Sequence, residues 1–237
     1  MNGFVLKACG AAVGMALAVA GPAQAADQPN ALDPAAVSAT IAPTGAADGC
    51  ELHVWPAERM AAMTTGLLGG GLLDAAVHAK RDSSNKALMA TALDSPSQLR
   101  ALTALDLRQM LSRSPGTTIV LHDTPVERHT MNKITSRRSA SKSACYSELI
   151  VADLFYQKAA IYGRSLRALF LFRDFGNGQK INREYKAWGG NGLKLFPPKE
   201  GEDAIAALDE LGKVFAADFE EYARNARKTL MATPAKS

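Results

Sequence analysis

Cys145-Tyr146-Ser147-Glu148-Leu149-Ile150-Val151-Ala152-Asp153-Leu154-Phe155-Tyr156 decides the fold. Strict alternation assigns Leu149, Val151 and Phe155 to one face of a strand, and Ile150, Ala152 and Leu154 to the other. A strand that is apolar on both faces belongs in the middle of a sheet. Downstream, Tyr162-Gly163 predicts a turn into a second strand, Arg164 to Phe175. Its even positions are Leu166, Ala168, Phe170 and Phe172; its odd face holds Leu169 and Leu171 between Arg167 and Arg173. Asn177-Gly178 is a tight-turn signal that leads into a shorter strand, about Lys180 to Trp188. Beyond Pro197-Pro198, Ile205, Leu208, Leu211, Phe215, Phe219 and Tyr222 recur at steps of three and four. They predict an amphipathic helix from about Glu202 to Leu230. Glu202 and Asp203 open it and Arg224, Arg227 and Lys228 close it, matching the helix dipole.

Upstream, Thr124 to Ser143 is polar and basic, carrying Arg128, His129, Lys133, Arg137, Arg138 and Lys142. It is expected to be an exposed loop, either solvated or, through Arg128, Arg137 and Arg138, drawn to an anionic envelope partner. Thr117 to His122 is a β-branched strand. Ser95-Pro96-Ser97-Gln98 reads as a capping box with Pro at the first helical position; the helix ends at Ser114-Pro115-Gly116. Cys50 to Trp55 alternates and is stopped by Pro56, a further strand. Between these, Met60 to Ala79 carries no charge except Asp74. Gly66, Gly69, Gly70 and Gly71 break it into a bend, with a helix expected from about Leu72. Glycines here permit close packing; the sharper reading is contact with a membrane or a partner. The element order predicts an α/β (α+β) fold. A mixed sheet of about four to five strands carries packed helices and a long C-terminal helix.

Lys7 precedes an apolar stretch, Ala8 to Ala20. Gly21-Pro22 and the small-x-small triplet Ala23-Gln24-Ala25 follow, an export signal expected to be cleaved after Ala25. The stretch is too short to span a bilayer, and Cys9 is misplaced for lipidation. The expected organisation is a signal peptide (1–25), a flexible Ala/Pro/Gly-rich leader (26–49), one domain (50–230) and a disordered tail (231–237). Export to the periplasm or beyond puts Cys50 and Cys145, 95 positions apart, in an oxidising compartment, where a disulfide is expected. Closing that loop contributes roughly 4 to 5 kcal/mol in the chain-entropy model. Formal charge is only +4, which points to neither nucleic acid nor lipid.

Signals for chemistry are sparse. His122-Asp123 is a strand-end pair of the kind that serves as a metal ligand pair or as a base with its orienter. His78 follows Asp74 by four. No zinc spacing, nucleophile elbow or P-loop is present, so no cofactor or metal is expected. The expected function is a non-enzymatic periplasmic binding or envelope-assembly module. The alternatives are a hydrolase built on His122 and Asp123, or a membrane-interacting protein acting through segment 66–73.

The Cys145–Asp153 and Leu166–Asp174 strands with the Asn177-Gly178-Gln179 turn resemble one known pattern. It is that of the domain shared by curli-export lipoproteins and penicillin-binding-protein-activator lipoproteins. There a strand-helix-strand unit precedes a long hairpin whose second strand ends in an Asp before a Gly-containing turn. Asp174 and Gly178 occupy the comparable places. The resemblance spans roughly Cys50 to Trp188 and implies a role in envelope assembly. The Gly-rich insert and the lack of a lipidation Cys depart from the pattern. More broadly the chain resembles exported proteins of proteobacteria.

Overall fold

The central strand is β5, Cys145–Ala159, and the sheet is built outward from it on both sides. The computed structural model describes residues 37–65, 88, 91–159 and 163–232. The export signal, Gly66, Gly69, Gly70, Gly71, His78 and residues 233–237 lie outside them. Along the chain, β1 is Val37–Ile41, β2 Cys50–Trp55, β3 Ala61–Thr65 and β4 Thr118–His122; β6 is Gly163–Gly176 and β7 Arg183–Leu193. Among the described residues the sheet has seven strands, in the order β1-β4-β2-β5-β6-β7, with β3 also pairing β5. It is mixed and α/β, as expected, but larger than expected.

Two additions explain the count. First, β1 lies inside the stretch read as a flexible leader. It pairs antiparallel with β4, and Thr44, Gly45 and Asp48 continue the contact through amide bonds to Pro115 and Gly116 carbonyls. A sheet edge supplies the ladder that a small-residue segment cannot build alone. Second, β3 continues the line of β2 along β5. β2 pairs with residues 145–150 and β3 with residues 155–159, both parallel. Cys50 stands directly opposite Cys145, Cα atoms 4.6 Å apart, and the expected disulfide joins them.

Among the described residues, three of the four helices cover one face. Helices α1 (Ser95–Thr103) and α2 (Leu107–Met110) pack over β2 and β4, and α4 (Ala204–Ala232) packs over β6 and β7; the four-residue α3 (Arg128–Met131) lies on the other face. The cap of α1 is Asp94, whose carboxylate accepts from the Ser97 amide, rather than Ser95. Gln98 leaves the expected capping box. Fully buried, it accepts from the Ala57 amide and donates to the Ala57 and Leu93 carbonyls. The helix expected to reach Ser114 breaks before Asp106, which caps α2 through the Gln109 amide. Asp203 caps α4. Its buried stripe is Ala207, Leu211, Phe215, Phe219, Tyr222, Ala223 and Ala226, against Phe170. Ile205 and Leu208, the first two positions of the predicted stripe, face outward at 73% and 38% exposure.

Helix α4 sits on the edge strand itself. A Cβ at Gly189 would lie 2.4 Å from the Asp218 carbonyl oxygen, so only glycine allows this approach. Gly189→Ala is expected to lower stability by about 1–3 kcal/mol through overpacking. Gly212→Ala, whose added Cβ meets nothing within 4 Å, should raise it by about 0.5–1 kcal/mol as a helix-interior glycine is removed. Urea unfolding of both variants checks this. Shifts of the same sign would contradict the close seating of α4 on β7.

Candidate functional site

The face of the sheet opposite the helices divides in two. Its lower half is covered by the connection between β4 and β5, the segment read as an exposed basic loop. Two of its cations are buried. Arg137 donates through Nε to the Gly178 carbonyl (2.8 Å), and through its two terminal nitrogens to those of Ser143 (2.9 Å) and Gly176 (2.9 Å). It also lies over the Tyr146 ring. The Arg138 amide donates to Glu148 Oε1 at 2.8 Å, and its Nε lies 3.9 Å from Glu148 Oε2, an ion pair without a hydrogen bond. Tyr146 donates its hydroxyl to the same carboxylate at 3.0 Å. Arg173 reaches up from β6 to the Ile134 and Met131 carbonyls. The expectation of an exposed loop fails because Glu148 stands fully buried inside an apolar strand, where a carboxylate requires cations and donors. That lone Glu in an apolar run was the available sequence signal. Burial pushes the Glu148 carboxyl up, against the pull of the Arg138 amide and guanidinium.

Under the same loop lies a chain of polar contacts that the sequence did not reveal. His53 Nε2 is 2.9 Å from Glu51 Oε2, and His53 Nδ1 is 2.8 Å from His122 Nε2; Ser141 donates to Glu51. Burial works to raise the Glu51 pKa, but the bonds from Ser141 and His53 overcome it and hold the carboxylate ionised. His53 therefore carries its proton on Nε2, and its Nδ1 accepts from His122. Burial pushes the His53 pKa down, with Glu51 opposing. Trp55 stacks on His122 at 4.1 Å and 4°. Asp123 turns away to the surface, where it accepts from the Thr124 hydroxyl. The structure therefore does not assemble the His122-Asp123 pair, and His122 is matched with His53 instead. Parallel pairing of β2 and β4 brings the histidines together, a long-range contact with no local trace. Among the described residues no group of three His, Cys, Asp or Glu side chains is arranged to hold a metal.

The upper half of this face is open, and both strands bordering it are irregular at one level. The β5–β6 register shifts between Val151 and Asp153. Beside it, residues 56–60 leave the sheet between β2 and β3, held by Gln98. Coincident irregularities of this kind re-aim side chains and mark functional positions. Here they open a cavity of about 240 Å³ lined by Glu58, Arg59, Val126, Arg128, Ala152 and Asp153. Arg128 is exposed, pairs with Asp153 and lies 5.3 Å over Phe155. Phe155 meets Trp188 at 5.7 Å, and Arg167 lies 5.8 Å over Trp188. Gly190 leaves Arg167 room to lie flat, since a Cβ there would come within 2.8 Å of its Cδ. The result is a strip, Arg128–Phe155–Trp188–Arg167, with Trp188 41% exposed.

On the other side of β7 a groove of about 590 Å³ separates its end from α4, lined by Asn191, Gly192, Leu195, Asp209, Lys213 and Val214 among others. Asn191 donates to the fully buried Asp218 at 2.6 Å, and Asp218 Oδ2 has no hydrogen-bond partner among the described residues. Burial pushes the Asp218 pKa up to about 7, with the Asn191 bond opposing.

No protein-family model matches the chain, and no curated protein matches it. Among solved structures, a hypothetical protein from Chlamydia trachomatis is similar at 9% identity and a TM-score of 0.35. That match covers 76% of this chain and 95% of that one. An uncharacterized protein is similar at 14% identity and a TM-score of 0.26, over 79% and 95%. Likenesses this distant carry no argument about function.

Arg138→Met is expected to cost about 3–5 kcal/mol by leaving Glu148 buried and unpaired. Glu148→Gln in that background should recover most of the loss, because the amide keeps its acceptor and sheds the charge. Urea denaturation of the two variants tests this, and no recovery would refute the charge explanation. For Asp218, the folded pKa near 7 lies above its ordinary value of 3.8, so ionisation opposes folding. Stability is full below about pH 4 and falls as pH rises toward 7. Asp218→Asn should therefore stabilise by on the order of 2–4 kcal/mol at pH 8 and by little at pH 4. Denaturation midpoints at the two pH values check the sign.

Proposed function

We propose that this chain is a non-enzymatic binding or assembly module of the cell envelope that docks a partner on the open half of its sheet. The observation that carries this is the strip Arg128–Phe155–Trp188–Arg167. Aromatic and arginine side chains on a rigid sheet are the residue types that dominate interface energies. Phe155 and Trp188 stand on strands, so they lose little freedom on binding. Arg137 and Arg138 are directed inward and hold the loop down, whereas Arg128, His129, Lys133 and Lys142 are exposed; of these, Arg128 is the one that borders the strip, over Phe155. An exported location agrees with the leader sequence and with the Cys50–Cys145 disulfide. No helix among the described residues is long and apolar enough to cross a membrane. The hydrolase reading requires His122 and Asp123 to converge, and they diverge.

A photo-crosslinking residue placed at Lys186, beside Trp188, is expected to give a discrete adduct with an envelope component in producing cells. Trp188→Ser with Arg167→Glu should weaken that capture at least thirtyfold, in line with loss of a hot spot of about 2 kcal/mol or more. The same probe at Gln109, on α2, should give no adduct. Equal labelling at both positions, or labelling indifferent to the double substitution, would sink the reading.

A further inference from the structure

We infer that the partner engages this protein by strand addition, contributing an extended segment to the outer edge of β7 between the Trp188 strip and the α4 groove. The inference rests on the reading of the chain as a docking module and adds the mode and the chemistry of the partner. Among the described residues β7 has no strand on its outer side. Its last seven residues, Ala187-Trp188-Gly189-Gly190-Asn191-Gly192-Leu193, contain no charge, no proline and no bulge. Those are the devices by which proteins protect an edge from added strands. The opposite edge, β1, is protected: it is five residues long and its register is broken.

The two sides of the β7 edge differ in charge, and the difference specifies the occupant. On the groove side stand Asp209 and Glu210 against the single Lys213. The Glu210 carboxylate accepts the Lys194, Leu195 and Phe196 amides. On the strip side stand Trp188 and Arg167, with no carboxylate paired to Arg167 among the described residues. Successive side chains of an added strand point to alternate sides. The segment that fits therefore alternates basic and apolar residues. Its basic stems lie along Leu195 and Val214 with their heads toward Asp209, as long cationic side chains do on apolar walls. Its apolar residues pack on Trp188. A second copy of this chain is a poor fit to the same edge. The last seven residues of β7 carry no charge, so a second β7 would bring no basic side chain to Asp209.

The test uses fluorescein-labelled (Val-Lys)4 amide, its (Val-Glu)4 counterpart, and two (Val-Lys)4 analogues N-methylated at alternate residues. One analogue is methylated at every Val and the other at every Lys. Fluorescence anisotropy is measured against the mature protein, and its oligomeric state is followed by sedimentation. (Val-Lys)4 is expected to bind at least tenfold more tightly than (Val-Glu)4. One N-methylated analogue should lose at least tenfold and the other should not, because only one set of amides faces β7. Asp209→Lys, an exposed helix position that does not threaten folding, should reverse the charge preference. Equal binding of both N-methylated analogues, or no (Val-Lys)4 binding up to 1 mM, overturns strand addition. So does a dimer that Asp209→Lys dissociates, since the groove would then hold a second copy. These outcomes are separate from the Lys186 adduct. An adduct that depends on Trp188, with N-methylated analogues that bind alike, keeps the docking reading and removes strand addition. Loss of the adduct with the analogue difference intact does the reverse.

Discussion

The register of β2 against β5 is the constraint on which the covered half of this sheet depends. Side chains alternate faces, so a slip of one residue would turn every β2 side chain over. In the observed register Leu52 and Val54 meet the helices, while Glu51, His53 and Trp55 face the β4–β5 connection. The disulfide joins the first residues of both strands and so fixes the register at its origin. Two parallel strands far apart in sequence need such fixing more than a hairpin does, because no short turn sets their alignment. Glu51 then meets Ser141, and His53 meets His122.

The upper half is shaped by a departure from that regularity. A strand that gains one residue relative to its neighbour exchanges its faces beyond that point. At Ala152 this sends Leu154 and Tyr156 into the helix-side core and turns Phe155 outward toward Trp188. Simple alternation assigns Phe155 to the face of Leu149 and Val151 and places Leu154 opposite. The stretch that decides the fold therefore predicts its own strand and central position, yet misplaces Phe155, which belongs to the proposed docking strip. Nothing within the twelve residues marks the bulge. Beside it lies the β2–β3 gap, held by Gln98, which is 41 positions away from the Ala57 amide it binds.

The same division between local and distant causes runs through the molecule. The β5–β6 hairpin, the long C-terminal helix and the two cysteines are legible because each rests on periodicity, a turn signal or compartment chemistry. Ile205 and Leu208 continue the periodicity of α4 but stand exposed, so the pattern overestimates the buried stripe. β1 is missed because its stability comes from β4 rather than from its own small side chains. Arg137 and Arg138 look like a solvated charge run because the acceptors that bury them are carbonyls at Gly176 and Gly178 and a carboxylate in another strand. No window around position 137 contains that information.

The placement of polar groups argues for where this protein meets others. Beneath the β4–β5 connection, guanidinium, imidazole and carboxylate groups are matched inward, even where burial shifts their ionisation in opposite directions: Glu148 upward and His53 downward. As pH falls, the raised carboxyl adds stability between its folded and unfolded pKa values. The depressed imidazole removes stability below its ordinary value of 6.5. The two effects oppose one another, and the depressed Glu51 carboxylate in turn gives up its contribution as pH falls through its folded pKa. A face closed in this way has little left to offer a partner. Across the bulge the pattern inverts. Among the described residues Arg167 lies on an aromatic ring without a paired carboxylate, Trp188 is exposed on an edge strand, and positions 190 and 192 are glycine. Exposed apolar surface and an unprotected edge both invite association in water. Their coincidence on one strand, next to a half-sheet sealed with such care, is best explained by a partner that completes it.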